Sequence, residues 1–93
     1  MYEILFHNEF KKDIKKFSKK IKVKIEEMVE KTIEPDFVHE QLKGDLKNIY
    51  KLKFKIDKTE YRIAYCIEKA KIIFLMVKNR ENFYEYLKRR ILL

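Results

Sequence analysis

Between Tyr50 and Ile67 the chain alternates apolar and polar positions with a period of two. Tyr50, Leu52, Phe54 and Ile56 share one side of the first run, and Lys51, Lys53 and Lys55 share the other. In the second run Tyr61, Ile63, Tyr65 and Ile67 stand opposite Arg62, Ala64 and Cys66. This period is that of half-buried strands, whose successive side chains point to opposite faces. Between the runs lies Asp57-Lys58-Thr59-Glu60, which lacks an Asn-Gly pair and predicts a turn wider than two residues. A hairpin built this way gathers lysines and an arginine on its open face. Such a face suits a polyphosphate ligand, or is simply a solvated strand surface. The run from Ile72 to Val77 is apolar on both sides and predicts a strand covered on both faces. Glu68-Lys69-Ala70-Lys71 supplies the turn before it, and Glu3 to Phe6 supplies a first strand. Strands are therefore expected near Tyr2–Phe6, Asn48–Ile56, Tyr61–Ile67 and Ile72–Val77.

Helical spacing takes over elsewhere. Phe10, Ile14, Phe17 and Ile21 fall three or four residues apart, as do Ile25, Met28, Val29, Thr32 and Ile33. Asn8 is positioned to cap the first helix, with Glu9 in its first turn. Ser18 is positioned to cap a second, so the pattern reads as two helices jointed at Phe17–Ser18, or one bent helix. Pro35 marks the stop, because the residue before a proline avoids helical angles. The expected ranges are Glu9–Phe17 and Lys19–Ile33. A third, Asn82–Ile91, has Phe83, Leu87 and Ile91 on one face. Asp36 to Gln41 reads as a connecting loop, and Gly44 as a turn with positive φ. The fold class is α+β: a small antiparallel sheet, formed by an N-terminal strand and a three-strand meander, with two N-terminal helices and a C-terminal helix. Residues 1–93 read as one domain.

Charge narrows the partners. The chain of 93 residues is 41% charged and carries a net +8, against about 25% charged residues in an average domain. That balance favours an anionic partner, whether nucleic acid, an acidic protein or an anionic membrane. Lys11, Lys12, Lys15, Lys16, Lys19, Lys20, Lys22 and Lys24 line the polar side of the helical region with only Asp13 against them. They form either a phosphate-gripping ridge or an ordinary solvated helix face. Cys66 is the single cysteine, which excludes an internal disulfide and a multi-cysteine metal site. It reads as a small packed residue. No signal peptide is visible and the longest apolar run is too short to span a bilayer, so a cytoplasmic location is expected.

The order strand, two helices, three-strand meander and terminal helix resembles the RelE/ParE superfamily of type II toxin–antitoxin toxins. The residues that carry the resemblance are Leu42-Lys43-Gly44, Tyr50-Lys51-Leu52-Lys53-Phe54, Tyr61-Arg62-Ile63-Ala64-Tyr65 and Lys78-Asn79-Arg80-Glu81-Asn82-Phe83-Tyr84. The paired lysines and the late Arg-x-x-x-Tyr resemble the RelE branch more than the ParE branch. The resemblance implies a ribosome-dependent endoribonuclease that cuts mRNA by attack of the 2′-hydroxyl on the adjacent phosphate, without a metal or cofactor. It further implies Lys51 and Lys53 as active-site lysines, Arg62 as the brace of the scissile phosphate, Arg80 or Lys78 as the basic residue after the last strand, with the spacing to Tyr84 favouring Arg80, and Tyr84 as the tyrosine that stacks on or orients a base. Relatives often carry a histidine just before that arginine; here the position is Asn79. The implied partners are a cognate acidic antitoxin, the ribosome and mRNA.

The chemistry of these side chains agrees with that role. Cleavage by a 2′-hydroxyl needs a base, an acid and cations around the phosphorane. The two histidines, His7 and His39, lie far from the motif and read as surface residues. A lysine serves as base when neighbouring positive charge lowers its pKa, which Lys51, Lys53, Lys55 and Arg62 together would do. Arginine offers a fork that matches two phosphate oxygens, and Tyr84 a face on which a base can stack. Tyr50, Tyr61 and Tyr65 fall on the apolar side and read as core. Lys55, Lys78, Arg89 and Arg90 are candidate RNA contacts; for Lys55 the alternative is a solvated strand lysine, and for the two arginines a complement to the dipole of the last helix. A ParE-like, non-catalytic inhibitor of DNA gyrase, and an inactive basic RNA-binding module, are the competing functions.

Overall fold

A computed structural model describes residues 2–44 and 46–92. In chain order the elements are β1 (Glu3–Phe6), α1 (Asn8–Lys15), α2 (Lys19–Lys31), β2 (Glu40–Gln41), β3 (Ile49–Ile56), β4 (Thr59–Glu68), β5 (Lys71–Asn79) and α3 (Phe83–Ile91). The expected α+β arrangement is present, with two corrections to the sheet. The strand order is β1-β5-β4-β3-β2, and β1 runs parallel to β5, so the sheet is mixed rather than antiparallel. The cause is the long connection between them, which lets the first strand lie beside the last in the same direction. The second correction is β2. Glu40 and Gln41, expected in a loop, pair with Lys51 and Tyr50 as a fifth strand too short for any periodicity to reveal.

Local chemistry sets the boundaries. Ser18 caps α2, its Oγ accepting from the Ile21 N–H at 3.4 Å, and this makes two helices rather than one bent one. The first cap differs from expectation. His7, not Asn8, precedes α1, and its Nδ1 accepts from the Glu9 N–H at 3.1 Å. α2 closes at Lys31, ahead of Pro35, and the hydroxyl of Thr32 donates to the Val29 carbonyl at 2.7 Å. The β3–β4 turn is tighter than expected. Ile56 pairs with Thr59, leaving Asp57 and Lys58 alone in the turn. Asp57 adopts a φ of 57°, a left-handed value that Asp tolerates without glycine because its short polar side chain bonds locally. Gly44 takes its expected positive φ.

The sheet has apolar residues on both faces, and each face has its own helical cover. On one, Leu52, Phe54, Ile63, Tyr65, Ile72, Phe74 and Val77 pack with Phe10 of α1 and Ile25, Met28 and Val29 of α2. On the other, Ile49, Ala64 and Met76 pack with Phe83 and Leu87 of α3, and with Leu42 and Leu46. The core tyrosines fall where the alternation puts them, with Tyr65 fully buried. Burial of each large side chain contributes roughly 1.5–3 kcal/mol, so both helical layers are needed to hold the sheet.

β5 serves both faces through a bulge. Tyr65 pairs with Phe74 and Ala64 with Met76, so Leu75 has no partner and the strand changes phase. Phe74 belongs to the first core, Met76 to the second, and Val77 to the first again. β1 pairs with β5 only as far as Phe74. Beyond it, side chains satisfy the β5 backbone: the Val77 N–H donates to Asp13 Oδ2 at 3.0 Å, and Arg90 Nη1 donates to the Leu75 carbonyl at 2.9 Å. Arg90 also forks onto Asp13, with contacts of 2.7 and 3.1 Å. Asp13, expected on the exposed lysine-rich side, is therefore buried and ties α1 to α3. No helix among the described residues is long and apolar enough to cross a membrane.

Candidate active site

The site is built on the α3 side of the sheet. Period two places Lys51, Lys53 and Lys55 of β3 on that face, and the register sets Lys53 directly opposite Arg62 of β4. Arg62 in turn lies opposite Lys78 of β5, because the Leu75 bulge has shifted the phase of that strand. Three cations thus form one row across three strands. The chain then turns at Asn82, whose φ is 52°, and buries Phe83 in the second core. Tyr84, the next residue, is brought over the row.

Tyr84 joins the two strands of the site. Its hydroxyl accepts from Lys51 Nζ at 3.1 Å, and its ring centroid is 5.6 Å from the Arg62 guanidinium carbon and 5.8 Å from Lys51 Nζ. The Arg62 guanidinium also lies 6.0 Å from the Phe83 ring. Cations at this range over an aromatic face are attracted by its quadrupole. Lys51, Lys53, Arg62 and Tyr84 therefore come together.

Two carboxylates enter the site that the sequence reading did not assign to it. Glu60 Oε2 accepts from Arg62 Nε at 2.8 Å, and Glu40 Oε2 lies 3.3 Å from Lys51 Nζ. Glu60 sits two residues before Arg62 on the same strand face, so the alternation did contain its signal. Glu40 gave none, because β2 is only two residues long. The hydrogen bond from Arg62 holds the Glu60 carboxyl below its usual range, and the charges of Lys53 and Arg80 add to the effect. The bond to Tyr84 holds the Lys51 amine above its usual range; burial opposes this and Glu40 supports it. The expectation that crowding lowers a lysine pKa is thus reversed at Lys51, whose nearest partners are a hydroxyl and a carboxylate rather than cations.

The other candidates divide. Arg80 is exposed at the end of the sheet, where its backbone N–H donates to the Glu60 carbonyl at 3.0 Å and its residue lines a groove of about 380 Å³ with Lys55 and Lys58. Lys78 shares the row, but its amine donates to the side chain of Asn79 and to the Glu81 carbonyl and lies over the Tyr86 ring. Asn79 Oδ1 also accepts from the Glu81 N–H, so it shapes this turn. Arg89 lies over the Tyr86 ring. Arg90 lies apart from the other candidates: its guanidinium is committed to Asp13 and to the Leu75 carbonyl. His39 is corrected. It is half-buried, 2.8 Å from the Tyr65 hydroxyl, and burial pushes its pKa down. A second groove, of about 590 Å³, opens beside Lys51 and Tyr84 and is lined by Lys43 and Lys88, neither of which the sequence reading assigned to the site.

Residues 4–88 match the model of a family described as the ParE-like toxin of type II bacterial toxin–antitoxin systems. The chain belongs to this family, within the RelE/ParE superfamily. It is thus the toxin of a type II toxin–antitoxin system. Among solved structures this toxin resembles a variant of the Escherichia coli toxin RelE in the free state, with a TM-score of 0.75 and 20% identity over 95% of this chain and 96% of that one. It also resembles a chain of the RelBE2 toxin–antitoxin complex of Mycobacterium tuberculosis, with a TM-score of 0.71 and 23% identity over 85% and 98% of the two chains. A chain of the RelB–RelE complex of Methanococcus jannaschii matches with a TM-score of 0.63 and 25% identity over 88% and 96%. No curated protein sequence matches the chain.

Proposed function

We propose that this toxin is a ribosome-dependent mRNA endoribonuclease that inhibits translation in the cytoplasm. The observation that carries the reading is the pairing of Lys53 with Arg62 across β3 and β4, with the Arg62 guanidinium against the Tyr84 ring. A phosphate lying on this face meets two cations, while the neighbouring base has an aromatic face to stack on. In the proposed reaction the 2′-oxygen attacks the adjacent phosphorus and the bond to the 5′-oxygen breaks, leaving a 2′,3′-cyclic phosphate and a 5′-hydroxyl. Lys53 takes the proton of the 2′-hydroxyl. Lys51, kept protonated by its bonds to Tyr84 and Glu40, supplies the proton of the departing 5′-oxygen. This assignment fills the acid role that Asn79 cannot perform. Arg62 and Arg80 offset the charge gathering on the phosphorane.

The cognate antitoxin is the expected protein partner. The M. tuberculosis and M. jannaschii relatives were solved as complexes with antitoxins, and the +8 charge of this chain favours an acidic segment that orders on binding. Primer extension on ribosome-bound mRNA tests the activity. Wild-type toxin should cut. Intact mRNA on toxin-loaded ribosomes would refute the reading. The match to a ParE-like family keeps gyrase inhibition as a second reading, and a supercoiling assay with purified gyrase identifies it.

A further inference from the structure

We infer that Glu60 is a positioning residue that sets the orientation in which Arg62 meets a phosphate. The inference rests on the reading of Arg62 as the phosphate brace of the proposed nuclease. A guanidinium has five N–H donors and can grip a phosphate side-on, through Nε and one Nη, or end-on, through both Nη atoms. Glu60 occupies Nε at 2.8 Å. Both side chains keep only 18% of their surface open, and the Phe83 and Tyr84 rings limit the other rotations of Arg62. The side-on mode is blocked and the end-on mode is left. Glu60 also ties Arg80 to the site, since its backbone carbonyl accepts from the Arg80 N–H at 3.0 Å. Its carboxylate, ionised among Arg62, Lys53 and Arg80, removes one unit of positive charge from the cluster. It trades attraction for RNA against fixed geometry.

The test compares Glu60→Ala with Glu60→Gln, because the glutamine carbonyl can still accept from Nε. Misplacement of a binding group by about 1 Å costs roughly 10²-fold in rate. On ribosome-bound mRNA, kcat should fall by that order in Glu60→Ala while KM stays level or drops as the repulsive charge is lost. Glu60→Gln should recover most of kcat. Wild-type kcat in Glu60→Ala, or an equal loss in both variants, would overturn the inference. A second readout does not depend on cleavage. The Arg62 Nε–H resonance, identified by its loss in Arg62→Lys, should exchange slowly with solvent in wild type and Glu60→Gln and rapidly in Glu60→Ala. Unchanged exchange in Glu60→Ala would remove Glu60 as the anchor. Slow exchange in a wild type that cuts no mRNA would keep the anchor and reject the nuclease.

Discussion

Replacing Arg90 by alanine separates a structural tie from a nucleic-acid contact. Arg90 forks onto Asp13 at 2.7 and 3.1 Å and donates to the Leu75 carbonyl at 2.9 Å. The Asp13 side chain is 8% exposed and that of Arg90 23%. Without the arginine, Asp13 is left as a nearly dry carboxylate whose remaining donor is the Val77 N–H. Removing one partner of a fully buried pair costs about 3–5 kcal/mol, whereas an exposed pair is worth about 0–1 kcal/mol. The partial exposure of Arg90 places its loss between these, at about 2–3 kcal/mol. In a domain of this size each 1 kcal/mol moves Tm by about 4–8 °C, so the expected drop is roughly 10–20 °C. Circular dichroism melts of wild type, Arg90→Ala, Asp13→Ala and the double variant form the cycle. The coupling between the two sites should reach about 1 kcal/mol or more. A drop of less than about 3 °C in Arg90→Ala, or effects that add within about 0.3 kcal/mol, would refute the tie.

Arg62→Ala and Lys53→Ala should each reduce cleavage of ribosome-bound mRNA, by about 10²–10³-fold for the lost donor and about 10²–10⁴-fold for the lost base; the melting temperature should stay level in Lys53→Ala, whose side chain is exposed, and drop in Arg62→Ala, which leaves Glu60 without its partner, and full cleavage by the double variant would reject the site. Tyr84→Phe removes the hydroxyl that holds the Lys51 amine high, so the Lys51 titration followed by carbon NMR should move down, and an unmoved titration would show that Glu40 suffices. His39 has its pKa lowered by burial from the ordinary 6.5. The unfolded chain then takes up the proton more readily, and stability should fall as pH drops below that value; a histidine NMR titration with a midpoint above 6.5 would contradict this.

The parts of the fold that sequence revealed are those where local pattern and tertiary packing agree. Lys51, Lys53 and Arg62 were legible because period two fixes the face and the hairpin fixes the pairing. Ser18 was legible because its hydroxyl meets the unpaired N–H groups of the next helix. What stayed hidden depends on residues distant in sequence. β2 exists only because β3 offers it an edge. Asp13 reads as one acid in a lysine-rich helix until Val77 and Arg90 arrive from 64 and 77 residues away. The tight turn at Asp57 carries no glycine to announce it, and His39 is drawn inward by the aromatic rings of Tyr50 and Tyr65.

The bulge at Leu75 makes the length of β5 as much a part of the site as its composition. Upstream of Leu75 the strand serves the core beneath α1 and α2; downstream, the same odd–even rule assigns its residues to opposite faces. Substitutions along β5 alter one contact at a time. Loss of Leu75 would leave a regular ladder with Met76, Val77 and Lys78 still opposite Ala64, Ile63 and Arg62, whereas one residue inserted after Val77 would take the place opposite Arg62 and turn Lys78 toward the apolar layer. Arg80 and Tyr84 lie beyond that point and take their bearing from it. The strand can therefore lose its extra residue and keep the row, but it cannot take another beyond Val77 without breaking it.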